Sequence, residues 1–250
     1  MLRGFYYNKM DMPTEMQHQA MGYDRAATMF SPDGHLLQVE YAEKVIKLGS
    51  NSVGIICGDG VIIVSDKRIR DNLIAPESTV KVFEVDEHVM ATAAGIASDA
   101  RVLIDKARLL AQQHRVSYGT PIDPVSVIQM IADNKQMYTQ YGGSRPYGVA
   151  IMIAGVSNGK SHLYTSDITG NFFAYKANSI GENDEKVKEE LRKGIKEDMT
   201  MEEGVRFVIK IFKEVLGKNF DISRFDVGMI ALKDAKLVRM HGEELKRFIK

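Results

Sequence analysis

Ser50, Asp66 and Lys81 are the residues of this chain whose types and spacing could do chemistry together. Ser50 follows Gly49 at the head of a strand-like run, "KLGSNSVGIICGDG". A hydroxyl residue after glycine at the start of a buried strand is the arrangement from which a self-processing amidohydrolase frees a catalytic amine. The hydroxyl then serves as nucleophile and the new α-amine as base. That amine needs a charged pair nearby, and Asp66 and Lys81 are on offer. A hairpin at Asp59-Gly60 would return the end of "VIIVSD" beside the start of "NSVGI". Yet Asp and Lys at sheet ends are commonplace, and serine after glycine is also an ordinary strand entry. The residues alone leave both readings open.

The elements that must position these groups are legible from periodicity. Residues 1–22 are polar, irregular and rich in Met and Gln, and read as a tail without a core of its own. From Tyr23 onward no Gly/Ser/Pro-rich linker interrupts the chain, so 23–250 is expected to be one domain. "FSPDG" is a turn, with Pro32 fixing φ and Gly34 supplying freedom. After it, Leu36, Val39, Ala42, Val45 and Ile46 share one helical face, ending at Gly49 as a C′ residue. Strands follow on both sides of Asp59-Gly60, then "VKVFEVD" and "HVMATAAG". Two helices come next, from about Ser98 and from Asp123, the latter with an Asp N-cap and Pro124 at its first position.

The second half repeats the order. "YGVAIMIAGV" and "SHLYTSD" pair around Asn158-Gly159, and "GNFFAYKANSIG" adds a strand. Helices start near Asp184 and at Thr200, where Thr200 and Glu203 form a capping box. A hairpin of "FDVGMIALKD" and "KLVRM" and a short helix, "GEELKRFIK", close the chain. Runs of strands separated by helix pairs point to an α+β fold of two mostly antiparallel sheets with helices outside.

Composition narrows the function. Lys plus Arg and Asp plus Glu both number 33, so the net charge is zero and nucleic acid is a poor partner. The one basic run, "DKRIR", reads as a solvated strand end. Cys57 is the single cysteine, which removes disulfide frameworks and suits a reducing compartment. No apolar run reaches membrane-span length, and the N-terminus lacks a secretory signal, so a soluble cytoplasmic protein is expected. "GVSNGKS" is one residue too short for a phosphate loop and leads into a strand, so an Asn-Gly turn is expected there. The six histidines show no helical metal spacing, and neither metal nor cofactor is expected. Met130, Met152 and Met229 read as core fillers.

"YDRAATMFSPDGHLLQVEYA", Tyr23 to Ala42, closely resembles the N-terminal signature of archaeal-type proteasome α subunits. The likeness continues through "DGVIIVSDKRI", "AGIASDARVLIDKAR", "YTQYGGSRPYGV" and "KANSIG", and so covers essentially everything from Tyr23 onward. The resemblance implies the four-layer αββα sandwich of the N-terminal-nucleophile hydrolases, with an extra N-terminal helix across it. In catalytic β subunits a processed threonine falls where Ser50 stands, with partners at Asp66 and Lys81. α subunits keep the helix ahead of this strand and are not processed, which leaves no free amine and no catalytic residue here.

The implied function is architectural and regulatory. α subunits form seven-membered rings that cap the β rings and admit unfolded polypeptide through an axial pore. The resemblance implies a gate built from Tyr23, Asp24, Arg25, Pro32 and Tyr41, with residues 1–22 as the obstructing tail. A flexible coil of that length reaches roughly 25 Å. It also implies that Lys81, with Gly95 and Ile96, lines a pocket between subunits. There the C-terminal carboxylate of a regulatory AAA ATPase such as the proteasome-activating nucleotidase docks. His35 departs from the usual Arg or Lys after "SPDG", which puts an ion pair there in doubt but not the turn. The stretch before Tyr23 is longer than usual, so initiation at Met16 is an alternative, and an extension over 1–15 would tighten the gate. Two rivals stand beside this reading. One is a self-processing hydrolase using Ser50; the other is a free-standing scaffold ring without a protease.

Overall fold

The computed structural model describes Met16 and residues 20–68, 73–75, 78–196 and 198–248. Most of the expected tail, and Ile69 and Arg70 of the basic run, lie outside the described residues.

Among the described residues, ten strands form two five-stranded antiparallel sheets. In the first, β1 (Ser52–Cys57) and β2 (Gly60–Asp66) are central, flanked by β8 (Ala177–Ile180) on one side and by β9 (Phe225–Ala231) and β10 (Leu237–His241) on the other. The second runs β3 (Phe83–Asp86), β4 (Val89–Gly95), β5 (Val149–Ser157), β6 (Lys160–Ser166) and β7 (Phe172–Ala174). Helices α2 (Ala97–Tyr118) and α3 (Pro124–Gln140) cover the outer face of the second sheet, while α4 (Asp184–Gly194) and α5 (Met201–Leu216) cover that of the first.

Strand alternation builds three apolar layers. On β2, Ile62 and Val64 point outward to Val205 and Phe212 of α5, whereas Val61 and Ile63 point inward to Met90, Met152 and Leu163 between the sheets. On β5, Ile151 and Ile153 turn out to Leu103 and Ile128 under α2 and α3. With both faces covered, central strands read as continuous hydrophobic runs, and each fully buried Val or Ile stabilises by about 1.5–3 kcal/mol. The result is the two antiparallel sheets with helices outside expected from the order of elements, in the αββα layering that the resemblance implies.

α1 (Leu37–Leu48) stands outside these layers and packs against β4 and β5. Ile46 rests on the core between the sheets. Gly49 after it is extended, with φ −69° and ψ 145°, rather than left-handed. Its glycine is required for another reason: a Cβ there would stand 2.3 Å from the Gly95 nitrogen.

Local capping follows the sequence closely. Asp123 accepts the Val125 N–H at 3.1 Å, with Pro124 at the first helical position. Thr200 and Glu203 form the reciprocal box. Asn158 and Gly159 both take positive φ in the two-residue β5–β6 turn.

Other expectations are corrected. Cys57 pairs with Gly60, so the β1–β2 turn is Gly58-Asp59. The Asp59 carboxylate instead accepts the Met201 N–H at 2.8 Å, at the start of α5. "GNFFAYKANSIG" is two strands, because β7 belongs to one sheet and β8 to the other. The last segment, Gly242–Phe248, is the expected short helix, of 3-10 type. Met152 is buried, whereas Met130 and Met229 are only partly so.

Candidate functional site

Ser50, Lys81 and Gly95 line one cleft of about 340 Å³, together with Lys67, Thr79, Val80, Phe83 and Ala97. The hairpin of β1 and β2 brings Asp66 to the same end, where its N–H donates to the Asn51 carbonyl at 2.9 Å. The three residues singled out for their chemistry are therefore neighbours.

Their bonding is not that of a nucleophile poised to act. The Ser50 nitrogen is a peptide amide between α1 and β1, so its lone pair is delocalised and cannot serve as base. The Gly49 carbonyl ahead of it accepts the Glu182 N–H at 2.8 Å. Lys81 donates from Nζ to the Ser50 carbonyl oxygen at 2.8 Å and to the Ser50 hydroxyl. Asp66 is engaged elsewhere: Arg224 clasps its carboxylate through Nε at 2.7 Å and Nη2 at 2.6 Å. Asp66 is only 1% exposed, so this fork satisfies a buried charge. The nearby hydroxyls of Ser52 and Ser65 both meet Thr92, at 2.9 and 3.0 Å, and belong to the packing between the sheets.

Burial pushes the Lys81 amine down from 10.5 to about 8, with the Arg68 cation adding to the fall and Asp66 and Asp226 opposing it. Near neutral pH the group is still an ammonium. It is a donor and a point charge, suited to an anion and unable to take the Ser50 proton.

Asp226 had no signal in the sequence beyond being an acid inside a strand. It is 9% exposed, and its Oδ2 accepts the Lys81 backbone N–H at 2.9 Å while Oδ1 pairs with Lys67 Nζ at 3.0 Å. Gly95 needs to be glycine for backbone reasons, since its φ is +123° and a Cβ would stand 2.2 Å from the Gly148 oxygen. Ile96 does not line the cleft. It caps α2, donating its N–H to the Gly148 carbonyl at 2.9 Å.

The other candidate residues lie ahead of α1 or on it, and none lines the cleft. Tyr23–Arg25 form one 3-10 turn after Gly22, whose φ is +78°. Gln38 of α1 donates to the Asp24 carbonyl oxygen and so ties this turn to the helix. The Asp24 carboxylate atom Oδ1 is buried without a hydrogen-bond partner. Pro32 is exposed in the turn that Ser31 closes by donating its N–H to the His35 carbonyl at 2.9 Å. His35 Nδ1 meets Glu40 Oε1 at 2.5 Å, so a side-chain contact to this acid survives the departure at this position. Tyr41 is half-buried on α1, with the Lys44 ammonium 5.5 Å from its ring centroid. Among the described residues no cluster of three metal-ligating side chains occurs, and no helix is long and apolar enough to cross a membrane.

Comparison with known proteins agrees with this layout. Residues 23–44 match the family model for the N-terminal signature of A-type proteasome subunits, and residues 46–230 match that of the proteasome subunit. The proteasome α subunit of Methanosarcina acetivorans is 44% identical over 92% of this chain and 93% of its own length. Those of Pyrococcus abyssi and Methanoculleus marisnigri are 42% and 39% identical, over 91% and 92% of this chain and 87% and 95% of theirs.

Proposed function

Because the chain belongs to the proteasome subunit family, as an α subunit of its core particle, we propose that it gates polypeptide entry and docks a regulatory ATPase. The subunit is noncatalytic. It joins other α subunits in a seven-membered ring on the β subunits, in the cytoplasm, and passes unfolded polypeptide to the proteolytic chamber.

The observation that carries the noncatalytic reading is the bond from Lys81 Nζ to the Ser50 carbonyl, 2.8 Å, inside an uninterrupted run from α1 to β1. The lysine that a free amine would need is committed to the main chain.

For the gate, Tyr23, Asp24, Arg25, Pro32 and Tyr41 are the working residues, with residues 1–22 as the obstructing tail. The unpaired Asp24 Oδ1 supports this, because a buried acceptor without a donor is costly. A phenol O–H from a neighbouring subunit would complete it. For docking, Lys81 with Gly95 receives the C-terminal carboxylate of the ATPase, an anion matched to a cleft lined by an ammonium.

The test is peptide hydrolysis by the chain assembled with a catalytic β chain. Ser50→Ala should leave hydrolysis unchanged, and removal of residues 2–15 should raise the unstimulated rate. Loss of hydrolysis with Ser50→Ala overturns the noncatalytic reading. An unchanged basal rate after truncation overturns the tightening role of that stretch.

A further inference from the structure

Lys81 lies ahead of β3 in a segment outside the sheet ladder, so little of the sheet holds its backbone. Its main-chain N–H goes to Asp226 Oδ2 at 2.9 Å, reaching across from β9. The other oxygen of the same carboxylate pairs with Lys67 Nζ at 3.0 Å, and the Lys67 side chain is only 7% exposed. Lys67 also lines the cleft. One buried carboxylate thus fixes the backbone of the cleft's ammonium-bearing residue and neutralises its second lysine. Asp66, the acid suggested by sequence, cannot do this because Arg224 holds both its oxygens.

We propose that Asp226 is the positioning residue for ligand docking at Lys81, acting through the Lys81 main chain and through its own negative charge rather than by touching the ligand. The assignment rests on the docking reading above. Two consequences follow from the geometry. Without the Asp226 charge, Lys67 is a buried cation lacking its partner and competes in the cleft for the incoming carboxylate. The Lys81 ammonium meanwhile loses a stabilising anion. The charges facing it are Asp66 and Asp226, which favour its protonated form, and Arg68, which opposes it, with Lys67 a further cation lining the same cleft. Docking of an anion therefore fails at lower pH once Asp226 is neutral.

The experiment uses rings of the full chain assembled with the catalytic β chain. The probe is a synthetic peptide carrying the ATPase's C-terminal residues with a free carboxylate, and its amidated form is the control. Stimulation of peptide hydrolysis is titrated from pH 6.5 to 9.5. In wild type the response to the free acid should fall as pH rises through about 8, where burial sets the Lys81 amine.

Asp226→Asn keeps an acceptor for the Lys81 N–H but removes the charge. Its half-stimulating peptide concentration should rise about tenfold, and its alkaline limb should move to lower pH. Asp226→Glu should restore the limb. Lys67→Met, which removes a neighbouring cation and keeps the carboxylate, should move the limb upward and gives a second test if Asp226→Asn does not assemble.

A limb that stays in place in the charge variants overturns the assignment, even if overall stimulation drops, because a merely structural residue would act that way. Lys81→Met separates the two levels. If it leaves stimulation intact, docking at Lys81 itself is wrong and the role of Asp226 falls with it.

Discussion

Gly49 and Gly95 meet backbone to backbone: a Cβ on Gly49 would stand 2.3 Å from the Gly95 nitrogen and 3.1 Å from its Cα. α1 therefore enters β1 through a gap that admits only glycine. The sequence "KLGS" signals this glycine, but the reason for it is tertiary contact rather than helix termination. Gly49→Ala should destabilise the chain by about 3 kcal/mol or more, because the obstruction is main chain and cannot rotate away. A thermal melt checks this, with a fall of roughly 6 °C or more expected.

Arg224 and Asp66 give a second, electrostatic expectation. The carboxylate end of their fork is buried and the guanidinium end only partly exposed, with side chains 2% and 19% exposed. Arg224→Met should cost about 3–5 kcal/mol by stranding the carboxylate. Adding Asp66→Leu should recover part of the loss, since the stranded charge is then gone. Denaturant melts of the two single variants and the double variant measure the coupling.

Lys135 links stability to pH. It is fully buried on α3, donating to the Asp167 carbonyl at 2.9 Å and the Ser166 carbonyl at 3.2 Å. Burial pushes its amine from 10.5 down to about 7, opposed only by the field of Asp167. Between about 7 and 10.5 the unfolded chain holds a proton at this site that the folded chain has released. Stability from this site therefore rises with pH across that window, and below it the penalty of burying the charge is fully present. Lys135→Met should flatten the slope of stability against pH over that range. Chemical denaturation at pH 7, 8 and 9 reads it.

Asp24 distinguishes the isolated chain from the assembly. In an unassembled chain Asp24→Ala removes a buried acceptor that has no hydrogen bond at Oδ1, so its melting temperature should equal or exceed that of wild type. In assembled particles the same substitution should lower ATPase-stimulated hydrolysis, because on the proposed gate it removes the acceptor offered to a neighbouring subunit. Equal effects in both states would make Asp24 a local folding residue.

Much of the fold was legible because its signals are local. The alternation of Val61 to Val64, the Asp123 and Thr200 caps and the Asn158-Gly159 turn each depend on a few adjacent residues. The break between β7 and β8 was not. Tyr175 and Lys176 carry no turn residue, and the chain changes sheets there through bonds to distant partners, Leu163 and Ile56. The site divides the same way. Ser50, Asp66 and Lys81 stood out by type and do gather, but Arg224 and Asp226 decide what they can do. Those two arrive from strand β9 and its approach, more than 140 residues beyond Lys81. No local spacing announces a partner that far along the chain.

The most direct measurement is native mass spectrometry of the chain purified alone and with its catalytic β partner, followed by the mass of the released subunit. A noncatalytic α subunit gives seven-membered rings whose chains run uncut through Gly49 and Ser50. A chain shortened by the 49 residues ahead of Ser50 would contradict that reading, since it would carry the free amine the structure denies it.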